Sequence, residues 1–200
     1  MYLANEPKTK RGYETLKKIC DSAEKLFSEK GYYNTSINDI TSEANIAPGT
    51  FYIYFNDKKS VFQYLIHDLS KELRKQIKME SSNCKTRYDA EFQGMKSFFK
   101  FVQSHTGLYK IIWESQFVDF GIFKAYYETF AERYIANIKL AQEEGEMKEM
   151  DPEALAYCLM GISNFIGLKW VIFENREVPD ETIEQIMAFI RSGIFKVDKV

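Results

Sequence analysis

The chain has few residues of the kinds that build metal sites, disulfide frameworks or membrane spans. Its three cysteines, Cys20, Cys84 and Cys158, are an odd number and lie far apart, which argues against a disulfide framework or a zinc site. The two histidines, His67 and His105, have no histidine four residues away and no neighbouring cysteine, so no metal site is predicted. No stretch reaches about 18 uninterrupted apolar residues, so no membrane span is expected. These absences favour the reducing cytoplasm.

Catalytic patterns are missing as well. The sequence contains no nucleophile-elbow pattern, no phosphate-cradling glycine loop and no paired metal-ligand signature. The N-terminus lacks the apolar stretch of a secretory signal. We therefore predict that the protein is not an enzyme and that it needs no cofactor.

Charge gives one local hint of a partner. The formal net charge is −2, and residues 1–60 carry a net charge of only about +1 by residue count. Residues 8–18, however, contain five basic residues and a single acid. Such a basic arm at the start of the first helix indicates a phosphate-rich partner.

Apolar residues recur at helical spacing along almost the whole chain, and no strand alternation stands out, so the predicted fold class is all-α. Gly31 is predicted to end the first helix, and Ser36 with Asp39 resembles a capping box at the start of the second. Helical patterns also cover 48–54, the stretch that begins near 58, 88–104, 106–118, 120–144, 151–174 and 180–195. The polar interval 81–87 separates two halves.

The second and third helices have the pattern of a helix-turn-helix. Asn45 lies between them and is one of the few non-glycine residues that accept a left-handed backbone, and Pro48 stands where a helix can begin. Phe51 and Phe55 lie four residues apart and share a face, which leaves Tyr52 pointing elsewhere. In a helix-turn-helix the second helix enters the DNA major groove, so its outward groups would contact phosphates and base edges.

The segment TSINDITSEANIAPGTFYIYFNDKKSVFQYL, residues 35–65, resembles the DNA-binding domain of the TetR family of bacterial transcriptional regulators. The joint spacing of Gly49, Tyr52, Phe55 and Lys58 carries the resemblance. The chain departs from the family pattern at Asn45, where glycine is usual, and at Thr41, where alanine is usual. The resemblance is sharp over residues 12–70 and only architectural beyond them.

The resemblance, together with the helix-turn-helix geometry, assigns DNA contacts to one set of residues. These are Thr35, Ser36, Pro48, Gly49, Thr50, Tyr52, Tyr54 and Lys58. It also implies a three-part organisation. Residues 1–57 would form the helix-turn-helix domain with its basic arm, 58–80 the connecting fourth helix, and 81–200 an effector-binding and dimerisation domain.

The second half is expected to hold a dimer interface and an effector site. Helix 151–174 is apolar around nearly its full circumference, which predicts a subunit interface with helix 180–195; a fully intrachain core is the alternative. Interface candidates are Leu155, Leu159, Ile162, Phe165, Ile166, Trp170, Ile183, Ile186, Met187 and Ile190. Candidates for the effector pocket are Phe98, Phe101, Trp113, Glu114, Phe117, Phe120, Tyr127, Phe130, Tyr157 and Asn164. Glu114 and Asn164 stand out because a polar group among apolar residues needs a partner.

The resulting hypothesis is a homodimeric, ligand-responsive transcriptional regulator. It would be a repressor that leaves a palindromic operator when a small lipophilic or aromatic effector binds. Its expected partners are double-stranded operator DNA, a second copy of itself and the effector, with no membrane involved. Two alternatives stay open: an activator of the same family, and a helical small-molecule binding protein without DNA function.

Overall fold

A computed structural model describes residues 4–195, apart from the side chain of Leu108, and over this range the chain is all-α. The helices are α1 (Lys10–Lys30), α2 (Ile37–Glu43), α3 (Pro48–Tyr54), α4 (Lys58–Ser81), α5 (Arg87–Ser104), α6 (Thr106–Val118), α7 (Phe120–Glu143), α8 (Pro152–Gly167) and α9 (Asp180–Ile194). The last turn and a half of the predicted helix 151–174 is a π-helical segment, Leu168–Phe173. The predicted fold class is confirmed.

Several helix ends are capped, one of them by Gly31 as the sequence predicts. Gly31 ends α1 with a positive φ of 81° and donates its N–H to the carbonyl of Phe27. Asp151 accepts from two backbone N–H groups in the first turn of α8. Asp57 accepts from the N–H of Ser60 at the start of α4. These bonds pair donors and acceptors that a helix end leaves without an intrahelical partner.

The first compact unit contains residues 4–71 and 107–126, and we call it the head. Its core is built around large apolar side chains of α1, α3 and α4, and Ile111 of α6 and Ile122 of α7 join it. Phe27 packs edge-on against Phe62, with their ring centroids 5.3 Å apart. The helix-turn-helix is therefore supported from behind by a continuous aromatic and aliphatic core.

The second compact unit contains residues 72–106 and 127–195, and we call it the body. In it, α5 packs against both α8 and α9. A buried polar cluster lies inside: Arg87 forms an ion pair with Glu91, and the hydroxyl of Tyr134 donates to the same carboxylate. Burial raises the pKa of Tyr134 well above its ordinary value, so the phenol stays protonated and serves as a donor.

The grouping of residues 107–126 with the head differs from the predicted segment 81–200, which was expected to act as one domain. The contacts define compact units and not functions, so the functional boundaries at 57 and 80 stay a prediction. Within the described residues, Pro152–Phe173 is long and apolar enough to cross a membrane by length and composition. Core helices of soluble proteins satisfy the same criterion, so this finding alone assigns no membrane span.

Candidate nucleic-acid interface and associated surfaces

The turn between α2 and α3 is fixed by local hydrogen bonds. Ser36 caps α2 by accepting from the N–H of Asp39, and the Asp39 carboxylate accepts from the N–H of Ser36. At the other end, Asn45 has a left-handed φ of 52°, and the N–H of Ile46 donates to the carbonyl of Thr41. The predicted capping box and the left-handed asparagine are both confirmed, and together they set the direction in which α3 begins.

The two kinds of aromatic residue in α3 point in opposite directions. Phe51 is fully buried and Phe55, which follows the helix, is 1% exposed, whereas Tyr52 is 55% exposed. Pro48 and Gly49 are exposed, and Thr50 is half-buried. A Cβ placed on Gly49 would meet nothing within 4 Å. The start of α3 therefore presents a small, open surface with accessible backbone beside a tyrosine edge.

Two of the predicted contact residues face inward, which corrects the expectation for their side chains. Thr35 is 1% exposed, and its hydroxyl donates to the carbonyls of Gly31 and Leu26. Tyr54 is 8% exposed and belongs to the core of the head. Ser36 stays exposed, although its hydroxyl is engaged in the capping box. The family motif suggested a DNA contact for Tyr54, but Tyr54 lies three residues after Phe51 and shares its buried face.

Lys58 has a structural partner in addition to its predicted role. Its ammonium group donates to the carbonyls of Tyr32 and Thr35, each at 2.7 Å, and lies 4.2 Å from the centroid of the Tyr32 ring. Burial lowers the pKa of Lys58, and the carboxylate of Glu114 opposes that shift. Because an ammonium group has three donors, one N–H remains beyond these two bonds. The lysine thus ties α4 to the loop that precedes α2.

The same loop is held by α6. Both carboxylate oxygens of Glu114 accept from the N–H of Tyr32, at 2.7 and 2.9 Å. The hydroxyl of Tyr33 donates to the carbonyl of Phe117 at 2.8 Å, and Lys59 forms an ion pair with Asp119. Hydrogen bonds to a charged group are stronger than neutral ones. The segment 114–119 is therefore fastened to the helix-turn-helix by several polar contacts, of which only the need of Glu114 for a partner was expected.

The effector-site candidates do not gather in one compact unit. Trp113, Glu114, Phe117 and Phe120 belong to the head, and the other six belong to the body: Phe98, Phe101, Tyr127, Phe130, Tyr157 and Asn164. Phe117 and Phe120 are 72% and 65% exposed. The amide of Asn164 donates to the carbonyl of Met160. Glu114 and Asn164 thus have backbone partners, so neither residue requires a ligand to satisfy it.

The interface candidates on α8 and α9 divide into a buried and an outward set. Five of them are buried within the chain, which corrects the expectation that they contact a second subunit: Leu155, Leu159, Ile183, Met187 and Ile190. The others are exposed or half-buried: Ile162, Phe165, Ile166, Trp170 and Ile186. Phe165 is 65% exposed, and the structure adds three exposed aromatic residues that the prediction omitted for this role: Tyr157, Phe173 and Phe189.

Comparison with known proteins agrees with this geometry. Residues 19–65 match the family described as bacterial regulatory proteins, tetR family. Over 81 residues the chain is 35% identical to the biofilm operon icaADBC HTH-type negative transcriptional regulator IcaR of Staphylococcus aureus (strain Newman). That similarity covers 40% of this chain and 44% of the regulator, so the chain spans less than half the length of this curated relative.

Longer similarities are weaker in sequence. The uncharacterized HTH-type transcriptional regulator YdgC of Bacillus subtilis (strain 168) is 25% identical over 162 residues, covering 76% of this chain and 78% of that protein. A solved structure from Syntrophomonas wolfei, described as a TetR-family transcriptional regulator, has a TM-score of 0.79 at 27% identity. It covers 90% of this chain and 94% of the other. The similarity in fold thus extends well beyond the helix-turn-helix.

Proposed function

We propose that this chain is a member of the TetR family of bacterial transcriptional regulators, because residues 19–65 match that family. We further propose that it is a homodimeric repressor that binds a palindromic operator and releases it when a small lipophilic or aromatic molecule binds. The observation that carries the proposal is the division of α3. Its phenylalanines anchor the helix in the core, while Tyr52 and the backbone at Gly49 are left accessible. A short helix with that division fits the recognition helix of a helix-turn-helix.

In this proposal Pro48, Gly49, Thr50 and Tyr52 contact the major groove. The open space at Gly49 lets the backbone approach the DNA closely. The hydroxyls of Thr50 and Tyr52 can donate to phosphate oxygens or to acceptors on base edges, and Pro48 can contact a thymine methyl group. Ser36 would meet a phosphate at the start of α2, and the remaining N–H of Lys58 would meet another.

Two copies are needed to read a palindrome, and the outward apolar residues of the body support a dimer. Tyr157, Gly161 and Phe165 follow one another at four-residue spacing and so share a face of α8. A Cβ placed on Gly161 would meet nothing within 4 Å, which leaves room for a neighbouring helix. A two-fold dimer that uses this face would pair with a two-fold operator.

The effector is proposed only as a chemical class. The aromatic residues of the second half favour a lipophilic or planar molecule. Such a molecule must bind the DNA-free state more tightly, and a near-complete switch needs a preference of about 5 kcal/mol. Native mass spectrometry of protein purified from bacterial cells, with denatured protein as the reference, would reveal a retained molecule and its mass.

DNA binding is tested by replacing Tyr52. We expect Tyr52→Ala to weaken binding to a duplex selected by the wild-type protein from a random library by about 5- to 150-fold, which corresponds to about 1–3 kcal/mol. Tyr52→Phe removes only the hydroxyl, so this variant separates the contribution of the hydroxyl to affinity from that of the ring. Met79→Ala is the matched control, since Met79 is similarly exposed but lies in the body part of α4. Unchanged affinity of the Tyr52→Ala protein, with an intact helical spectrum, would remove α3 from the interface.

Repression is tested separately from DNA binding. A reporter driven by the selected operator should rise when the gene for this protein is deleted. A fall in reporter output would instead identify an activator, which the same geometry would allow.

A further inference from the structure

The proposed recognition helix carries no charge of its own. The sequence of α3, PGTFYIY, contains no basic residue, although neutralising phosphates supplies much of the affinity of a protein for DNA. Several lysines of the head are already engaged. Lys17 pairs with Asp21, Lys25 with Glu43 and Lys59 with Asp119, and Lys58 donates to two carbonyls. Lys58 keeps one N–H for a phosphate, so further cations beside α3 would add to the affinity.

The N-terminal segment is fastened to the end of α3. The backbone N–H of Asn5 donates to the carbonyl of Tyr54, and its side-chain amide donates to the carbonyl of Ile53, both at 2.9 Å. These are two of the carbonyls that the end of a helix leaves unpaired. Ala4 is 7% exposed and belongs to the core of the head. Asn5 therefore caps α3 from a position 48 residues away in sequence.

A second contact fixes the point where this segment enters α1. Thr9 caps α1 by accepting from the N–H of Gly12. A Cβ on Gly12 would lie 2.7 Å from the Cβ of Pro7 and 3.7 Å from the hydroxyl oxygen of Tyr54. The chain between Pro7 and Gly12 thus folds back tightly beside Tyr54, and it requires a residue without a side chain at position 12.

Three exposed cations lie on this folded segment. Lys8, Lys10 and Arg11 are all exposed. Lys8 is three residues from Asn5, so its backbone lies within about 11 Å of the backbone of Asn5. Lys10 and Arg11 immediately precede Gly12. The two anchors therefore hold a cluster of positive charge next to the helix that is proposed to read the groove.

We propose that residues 4–11 form a second DNA-contacting element, in which Lys8, Lys10 and Arg11 neutralise phosphates flanking the half-site and Asn5 positions the element against α3. This inference rests on the proposed function, because it adds a contact to the same operator complex. Asn5 acts through the placement of the segment and does not itself touch DNA.

The first test measures how affinity depends on salt, using the duplex that the wild-type protein selects from a random library. The triple variant K8Q/K10Q/R11Q should lower the slope of log K against log salt by about 2.7 per protomer, since each phosphate contact contributes about 0.9. The control K85Q/K100Q/K139Q removes three exposed lysines of the body and should leave the slope unchanged. A wild-type slope in the first variant would overturn the proposal.

The second test asks whether Asn5 places the cations. In hydroxyl-radical footprinting, Asn5→Ala should lose protection of the backbone flanking each half-site while protection at the half-site centre persists. Gly12→Ala should have the same effect, because its methyl group displaces Pro7 while alanine favours the helix. Full flanking protection in both variants would overturn the positioning role of Asn5.

The outcomes separate this inference from the proposed function. If the wild-type protein selects no duplex, the proposed function fails and the second element fails with it. If the wild-type protein binds and Tyr52→Ala weakens it, but the triple variant keeps both slope and footprint, only the second element is overturned. A reduced slope with loss of flanking protection supports both.

Discussion

The head and the body leave different chemistry on their surfaces. In the head, the exposed part of α3 is small: it includes Pro48, the backbone at Gly49 and the side chains of Tyr52 and Ile53, and the phenylalanines are inside. In the body, α8 and the segment that extends it expose Phe165 and Phe173, at 65% and 71%, next to the open space at Gly161. A polar, cation-flanked surface fits a hydrated polyanion, whereas an exposed apolar surface fits another protein subunit. The contrast supports two partners of different kinds for the two units.

The largest effect is expected from placing a charge on the exposed apolar surface of the body. Phe165→Glu should raise the dissociation constant of the proposed dimer at least 100-fold, because an unpaired buried carboxylate costs about 3–5 kcal/mol. Size-exclusion chromatography with light scattering would measure the shift to monomer. Leu140→Glu is the matched control, since Leu140 is 52% exposed on α7 and was not assigned to the interface. A dimeric Phe165→Glu protein would move the interface away from this face.

A smaller effect is expected from releasing the segment 114–119 from the helix-turn-helix. Glu114→Ala would leave the N–H of Tyr32 without its two carboxylate acceptors, and an unsatisfied polar group costs about 1–3 kcal/mol. The head should then unfold at lower urea concentration, and the amide of Tyr32 should exchange with solvent faster. Glu114→Gln keeps an acceptor, so its urea stability and its amide exchange rate should lie between those of the wild-type and Glu114→Ala proteins. Glu132→Ala, an exposed carboxylate on α7, should change neither measurement.

Equal stability of the Glu114→Ala and wild-type heads would show that the carboxylate contributes nothing net to that attachment. The segment 114–119 would then be held in the head by its apolar contacts alone.

The features that the sequence predicted well depend on residues that are close together in the chain. The helix at 48–54, the left-handed backbone at Asn45 and the capping box of Ser36 and Asp39 each depend on neighbours within about four residues. Periodicity and capping chemistry are visible over that range. For the same reason the inward position of Phe51 followed from its spacing to Phe55.

The features that the sequence did not predict depend on residues that are far apart. Asn5 contacts the end of α3 across 48 residues, and Glu114 contacts Tyr32 across 82. Nothing in the local pattern around Asn5 signals that contact. Glu114 did stand out as a polar residue in an apolar stretch, but its partner is a backbone N–H rather than an effector. The burial of Tyr54 is different, because its spacing of three residues from Phe51 already indicates the inward face.

The smallest expected effect concerns the capping box that orients the turn before α3. Hydrogen bonds from the side chain and backbone of Ser36 lower the pKa of Asp39. A carboxyl group with a lowered pKa in the folded state stabilises the fold above its unfolded pKa, and this contribution is lost as the pH falls through the folded pKa. Ser36→Ala should therefore raise the pKa of Asp39 toward its ordinary value and reduce the acid dependence of stability, which NMR titration and urea unfolding at several pH values would measure. Ser42→Ala, an exposed serine within α2, should alter neither. A pKa that stays low in Ser36→Ala would show that the hydroxyl of Ser36 does not cause the shift and would leave the backbone N–H of residue 36 as the remaining donor.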